Sequence, residues 1–217
     1  MPPESLPPAR PYRGVPQDER RAQRRQQLIE AAIAVYGERG YRQSTVKAVC
    51  EAAGLTERYF YESFANSEEL LIASFNAVTY GVLEEIRGAA VRAGRSRVAR
   101  ARAMLHTYFA ALQREPRSAR VFLVEIRGAS RAVDKAFDTA LRAIGEQVGR
   151  QVVPPGVPAD PLLEAGIVGG VIHIALRWIE DGYAPDIETV TDSALRLGMV
   201  LGRPARRTAA AAALAAG

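Results

Sequence analysis

Arg58, Tyr59 and Tyr61 follow closely on a sharp turn at Ala53-Gly54-Leu55, inside a segment too short to fold alone. A guanidinium can pair bidentately with guanine O6 and N7 in the major groove, so Arg58 is the natural base reader of this group. The competing roles, placed slightly behind base reading, are a phosphate contact and a pair with Glu62 one helical turn on. Tyr59 can stack on a sugar or touch a thymine methyl. Thr56 and Glu57 open the same segment and share its exposed face. Lys47, Arg42 and Gln43 lie just upstream and suit phosphate contacts, while Thr45 could be a contact or only a helix cap.

These residues need short helices to present them. From Leu28 to Leu71 the sequence reads as three helices and the start of a fourth. Leu28, Ala32, Val35 and Tyr36 recur at helical spacing and make one apolar stripe, which Gly40 ends. Ser44 or Thr45 caps the second helix, whose inward residues are Val46, Val49 and Cys50. Gly54 gives the turn its backbone freedom. Thr56 caps the third helix, braced by Phe60 and Phe64, and Ser67 caps the fourth, with Glu68 and Glu69 in its first turn. A short helix across a turn from another is the layout that lays a recognition helix in DNA.

The whole chain reads as all-α, with about nine helices, because Ala, Leu, Arg, Glu and Gln dominate and no sustained period-two alternation occurs. Residues 1–18 form a proline-rich basic arm expected to be disordered. Residues 19–66 make the three-helix, helix-turn-helix domain. Residues 67–202 make a helical sensor and dimerisation domain, and the Ala-rich 203–217 is a flexible tail. Helices are expected at about 19–39, 67–93, 97–114, 116–128, 131–152, 160–181 and 187–202. Ser130 and Asp186 serve as caps, and Asp18 caps the first helix.

The net charge of +5 permits a nucleic-acid partner without requiring one. Arg10, Arg13, Arg20, Arg21, Arg24 and Arg25 read mainly as a solvated tail and helix face, with a phosphate contact expected from one or two of them. One cysteine, Cys50, cannot form an intramolecular disulfide and suits a reducing cytoplasm. No charged start followed by an apolar run is present. The apolar run Leu162–Leu176 is shorter than a membrane span and is interrupted by Glu164 and His173. There is no Cys/His metal cluster, no glycine-rich phosphate loop and no G-x-S-x-G. A non-enzymatic chain without cofactor or metal is expected.

Residues 25–71 resemble the DNA-binding domain of the TetR family of bacterial transcription regulators. The resemblance rests on Arg25, Leu28-Ile29, Ala31-Ala32, Gly40-Tyr41, Ser44-Thr45-Val46, Val49, Ala53-Gly54-Leu55-Thr56, Tyr61, Phe64 and Glu68-Glu69-Leu70-Leu71. It implies that Tyr61 donates to a phosphate. Arg58 stands where the family has a small residue, Ser63 where it often has His, and Ser67 where a phosphate-contacting Lys is usual. Ser67 can still offer a helix N-terminus to a phosphate. The stretch from Asp160-Pro161 through Gly169-Gly170 to Trp178 and Asp181-Gly182 is similar to the family's dimerising helix.

A reader this small gains specificity as a pair on a palindrome. Gly166, Gly169 and Gly170 offer a flat face on an all-round apolar helix, and Ala194, Leu197, Gly198 and Leu201 repeat the pattern on the last helix. With Trp178, these are the expected homodimer interface. The intervening helices are left to enclose a pocket, with Met104, His106, Phe109, Phe122, Glu125, Phe137, Leu141 and His173 as candidate lining for an unknown small-molecule effector. The expected function is a cytoplasmic, ligand-responsive repressor binding a palindromic operator in double-stranded DNA. The family implies that effector binding shifts the spacing of the two readers, with the fourth helix as the lever. The alternative is a helical ligand-binding dimer that has weakened or lost DNA binding, given Ser67.

Overall fold

A computed structural model describes residues 17–152 and 160–201. Among them it has nine α-helices and no strand: α1 (Gln17–Arg39), α2 (Val46–Ala53), α3 (Glu57–Ser63), α4 (Ser67–Arg92), α5 (Arg97–Arg114), α6 (Pro116–Arg120), α7 (Arg131–Val152), α8 (Pro161–Glu180) and α9 (Ile187–Leu201). A 3₁₀ turn, Tyr41–Gln43, precedes α2, and a π turn, Val121–Glu125, continues α6. The expected arm before Gln17 and tail after Leu201 lie outside the described residues.

Helix α1 is the spine of the N-terminal bundle. Its stripe is buried as the periodicity dictates, with Leu28 and Ala32 fully covered and Ile29, Val35 and Tyr36 nearly so. It packs on α2, α3, α4 and α6. Asp18 is itself helical, in the first described turn of α1, and so does not cap it. A carboxylate there still opposes the positive end of the helix dipole. Helix α4 runs from this bundle into the second half, where it packs on α5 and α7.

Two local expectations are corrected. Asn66, not Ser67, caps α4: its Oδ1 accepts the Glu69 N–H at 2.9 Å, and Ser67 is the first helical residue. An Asn side chain reaches the third amide from the extended backbone that a cap requires. The predicted helix over 116–128 also divides. Pro116 opens a five-residue α-helix, which widens into the π turn before Gly128 reverses the chain at positive φ.

The second half is centred on aromatic rings. Phe75 of α4 stacks on Phe122 at 5.5 Å and touches Phe137 at 5.8 Å. Phe109 meets Trp178 edge-on at 5.5 Å, and Trp178 meets Tyr183 in the same way at 5.0 Å. Helix α8 is 20 residues long and apolar enough to cross a membrane by length and composition, longer than the Leu162–Leu176 run suggested. It packs on α7 and α9, yet buries only Ile172, Ala175 and Trp178.

Candidate nucleic-acid interface

The reader is built by caps and a left-handed turn. Thr45 Oγ1 accepts the Ala48 N–H at 3.1 Å and starts α2. Gly54 ends it at φ +66°, where its N–H reaches the Cys50 and Glu51 carbonyls. A side chain in that left-handed region costs about 1 kcal/mol or more, which is why glycine sits here. Helix α3 has only seven residues and is held by its inner face: Phe60 is fully buried and Phe64 is 2% exposed.

The outer face of α3 carries Thr56, Glu57, Arg58 and Tyr61, all exposed. Thr56 caps through its backbone geometry only, without a side-chain bond. Arg58 is 84% exposed, and its Nε lies 3.1 Å from Glu62 Oε1. Such a surface pair is worth well under about 1 kcal/mol, so DNA can displace it. Lys47 is exposed and its Nζ sits 3.9 Å from Glu51, an equally weak restraint. Arg42 and Gln43 are exposed on the 3₁₀ turn, and Arg42 donates to the Gly128 carbonyl. Arg42, Gln43, Thr45, Lys47 and the outer residues of α3 are thus all exposed, on elements that follow one another in the chain and with α2 packed on α3.

Two residues of the expected set are less free. Tyr59 is half-buried under the Arg24 guanidinium, 4.4 Å from its ring centroid. Ser67 is half-buried, with its Oγ 3.2 Å from the Tyr41 hydroxyl. Sequence reasoning also missed the arginines of α1. Arg24 reaches Glu62 at 3.8 Å, Arg21 donates to the Glu62 carbonyl at 2.7 Å, and Arg25 covers Phe64 at 4.7 Å. These cations brace α3, where a mainly solvated face with one or two phosphate contacts was expected. Their helical spacing on one side of α1 was the available signal.

The suggested pocket residues do not converge on one cavity. Met104, Phe109, Phe122 and Phe137 are core residues. Leu141 is half-buried against that core. His106 Nε2 lies 3.2 Å from Glu188 on α9, and His173 is exposed. Glu125 points away from the sensor core, to the Tyr41 amide. The cavity beside Leu83, Ile86, Met104 and Val148 has room for about one water. The Tyr108 hydroxyl lies beside these core rings, 5.3 Å separating its ring centroid from that of Phe109. It is buried without a hydrogen-bond partner among the described residues, and burial raises its phenol well above the usual range. The described residues contain no cluster of metal-ligating side chains.

The glycines of α8 also separate. A Cβ on Gly166 or Gly169 would meet nothing within 4 Å, whereas one on Gly170 would strike Leu197 at 2.6 Å. Gly170 and Leu197 therefore join α8 to α9 within the chain. Trp178 is 2% exposed and donates to the Pro185 carbonyl at 2.6 Å, and Ala194 is 1% exposed, so both are internal. Gly198 faces open space, and the side chain of Leu201 lies outside the described residues.

A braced short helix, presented across a glycine turn with phosphate-reaching side chains beside it, defines a helix-turn-helix DNA reader. Residues 28–74 match the family model described as bacterial regulatory proteins, tetR family. The fatty acid metabolism regulator protein of Bacillus subtilis is 41% identical over 49 residues, 23% of this chain and 25% of that protein. The HTH-type transcriptional repressor KstR2 of Mycobacterium tuberculosis is 40% identical over 48 residues, 22% and 24%. The matched stretch thus spans about a quarter of these curated relatives. Among solved structures, the fatty acid degradation regulator FadR from Bacillus halodurans aligns with a TM-score of 0.67 at 21% identity, covering 85% of this chain and 97% of that one. FadR from Bacillus subtilis, solved with stearoyl-CoA, gives 0.69 at 21% identity, over 79% and 96%. Residues 28–74 are thus similar to the tetR-family DNA-binding domain, and the chain as a whole takes the fold of these solved regulators.

Proposed function

We propose that this protein is a cytoplasmic, ligand-responsive transcription repressor that binds a palindromic operator as a homodimer. The observation that carries the reading is α3, with Phe60 and Phe64 inside and Thr56, Glu57, Arg58 and Tyr61 outside. Arg58 reads a base, Lys47, Arg42, Gln43 and Tyr61 contact phosphates, and Thr45 both caps α2 and faces the backbone. Ser67 contributes the N-terminal amide of α4 in place of a side-chain charge.

The second copy seats on the uncovered face of α8, at Gly166 and Gly169, and on α9 at Gly198. A 20-residue apolar helix with three buried residues favours a partner helix in a soluble bundle, and the packing of α7 and α9 on α8 supports that over a membrane. Residues 17–66 form the reader, and 67–201 the sensor and dimer. The effector enters between α4, α5, α7 and α8, where the rings of Phe75, Phe122, Phe137 and Phe109 now fill the space. Side chains must move to admit it, and the unpartnered Tyr108 hydroxyl is the polar group best placed to gain a partner. A relative solved with stearoyl-CoA makes long-chain acyl thioesters reasonable first probes.

DNA fragments selected from a random library test the reading. A palindromic consensus with half-site centres 34–36 Å apart, or a multiple of that, is expected. Recovery of unrelated fragments would favour a ligand-binding dimer without DNA recognition.

A further inference from the structure

The carboxylate of Glu125 is 11% exposed and ties the second half of the chain to the reader. Its Oε2 accepts the Tyr41 N–H at 2.7 Å across 84 residues of sequence, and its Oε1 accepts Arg120 Nε–H at 2.8 Å. Arg120 in turn donates through Nη1 to the Glu38 carbonyl at 3.2 Å. The backbone break at Gly40 thus has a cation on the carbonyl end of α1 and an anion on the first amide of the next turn. Each charge matches the helix end it touches. Gly40 sits at φ +87°, and a Cβ there would come within 3.3 Å of Arg120 and 3.4 Å of Glu125. Glycine satisfies both the angle and the close approach.

The segment that carries Glu125 has a second attachment. Phe122, three residues earlier on the same π turn, stacks on Phe75 and lies in the sensor core. A π turn is a rare winding that recurs at functional sites. Rewinding it changes the angle between Phe122 and Glu125, so both cannot keep their partners. On the reader side, Tyr41 also meets Ser67 at the start of α4 at 3.2 Å. The turn it opens carries Arg42 and Gln43 and leads directly into the Thr45 cap of α2.

We propose that Glu125 is a positioning residue for DNA reading: through the Tyr41 amide it sets the start of α2, and through the π turn it makes that setting depend on the seat of Phe122. The proposal rests on the DNA-reading function above. It requires no phosphate contact from Glu125, which a carboxylate would repel.

The test uses full-length wild type, E125A, F122L and the double variant, titrated with a DNA fragment selected by the wild type. E125A is expected to weaken specific binding at least tenfold, with helicity unchanged and a salt slope no steeper than that of the wild type, because the misplaced Arg42 and Lys47 lose phosphate contacts and none is gained. F122L is expected to weaken binding in the wild-type background and to have no further effect in E125A. Wild-type affinity in E125A, or effects of the two substitutions that simply add, overturns the proposal and leaves DNA reading intact. A steeper salt slope in E125A overturns it too, since it would mean that the carboxylate had acted by repelling phosphate. Failure of the wild type to select any fragment removes DNA reading, and this proposal with it. Should E125A not fold by circular dichroism, E125Q carries the comparison: a fall of about threefold or more supports the role, and equal affinity overturns it.

Discussion

Helices α3 and α8 solve opposite problems. Helix α3 has seven residues, too few to be stable alone, yet it is pinned by two buried rings, an arginine over Tyr59 and another over Phe64. Helix α8 is a largely apolar helix of 20 residues and should bury itself readily, yet it buries only Ile172, Ala175 and Trp178. The first is over-constrained so that its outer side chains keep one geometry. The second is left under-covered, with Gly166 and Gly169 facing open space where the proposed second copy would seat. On the proposed function the difference teaches that burial within one chain marks the reader, and incomplete burial marks the seat proposed for the partner.

The largest way to break this contrast is Phe60→Ala. The ring is fully buried, so the loss should be about 3–5 kcal/mol, read from urea unfolding. A loss below about 1 kcal/mol would mean that α3 is not braced by this residue. Next is Arg58→Ala, expected to lower specific DNA affinity by about 1–3 kcal/mol at mainly one base pair. Equal weakening on every site variant would make Arg58 a phosphate contact. Gly169→Leu tests the other half of the contrast. It should leave the chain folded, because nothing lies near that position, and raise the dimer dissociation constant at least tenfold in sedimentation. An unchanged constant would move the interface elsewhere.

Smaller effects sharpen the picture. Asn66→Ala should cost about 1 kcal/mol and Ser67→Ala clearly less, since Asn66 makes the capping bond. The reverse order would restore Ser67 as the cap. Cys50 is 2% exposed, and burial, with the Glu57 charge adding to it, pushes its thiol up. Alkylation at neutral pH should be slow in the folded protein and fast in urea. Rapid modification of the native chain would contradict a closed reader core.

The reader was legible in the sequence because its determinants are local. The Leu28–Tyr36 stripe, Gly40, the Thr45 cap, Gly54 and the pair Phe60 and Phe64 each act within a few residues of chain. The same held for Asp160 and Asp186, whose oxygens accept amides of the first turns of α8 and α9. What sequence did not reveal depends on distant partners. Glu125 read as pocket lining because polarity within an apolar run is ambiguous, and its true partner lies 84 residues away. Trp178 read as interface because an apolar helix does not say which side faces its own chain. The π turn escaped because its residues suit an ordinary helix, and tertiary packing of Phe122 decides the winding. Arg21, Arg24 and Arg25 braced α3 unseen because cations on a helix usually serve only solvation.

The central claim is that two copies of this chain read DNA in sequence. The most direct measurement is the affinity for a selected fragment and for a scrambled one of equal length, across a series of salt concentrations. Both affinities should fall steeply with salt, with the selected palindrome bound at least about a thousandfold more tightly at physiological ionic strength and two chains per duplex. Equal affinity for the two fragments, or one chain per selected site, would contradict the account.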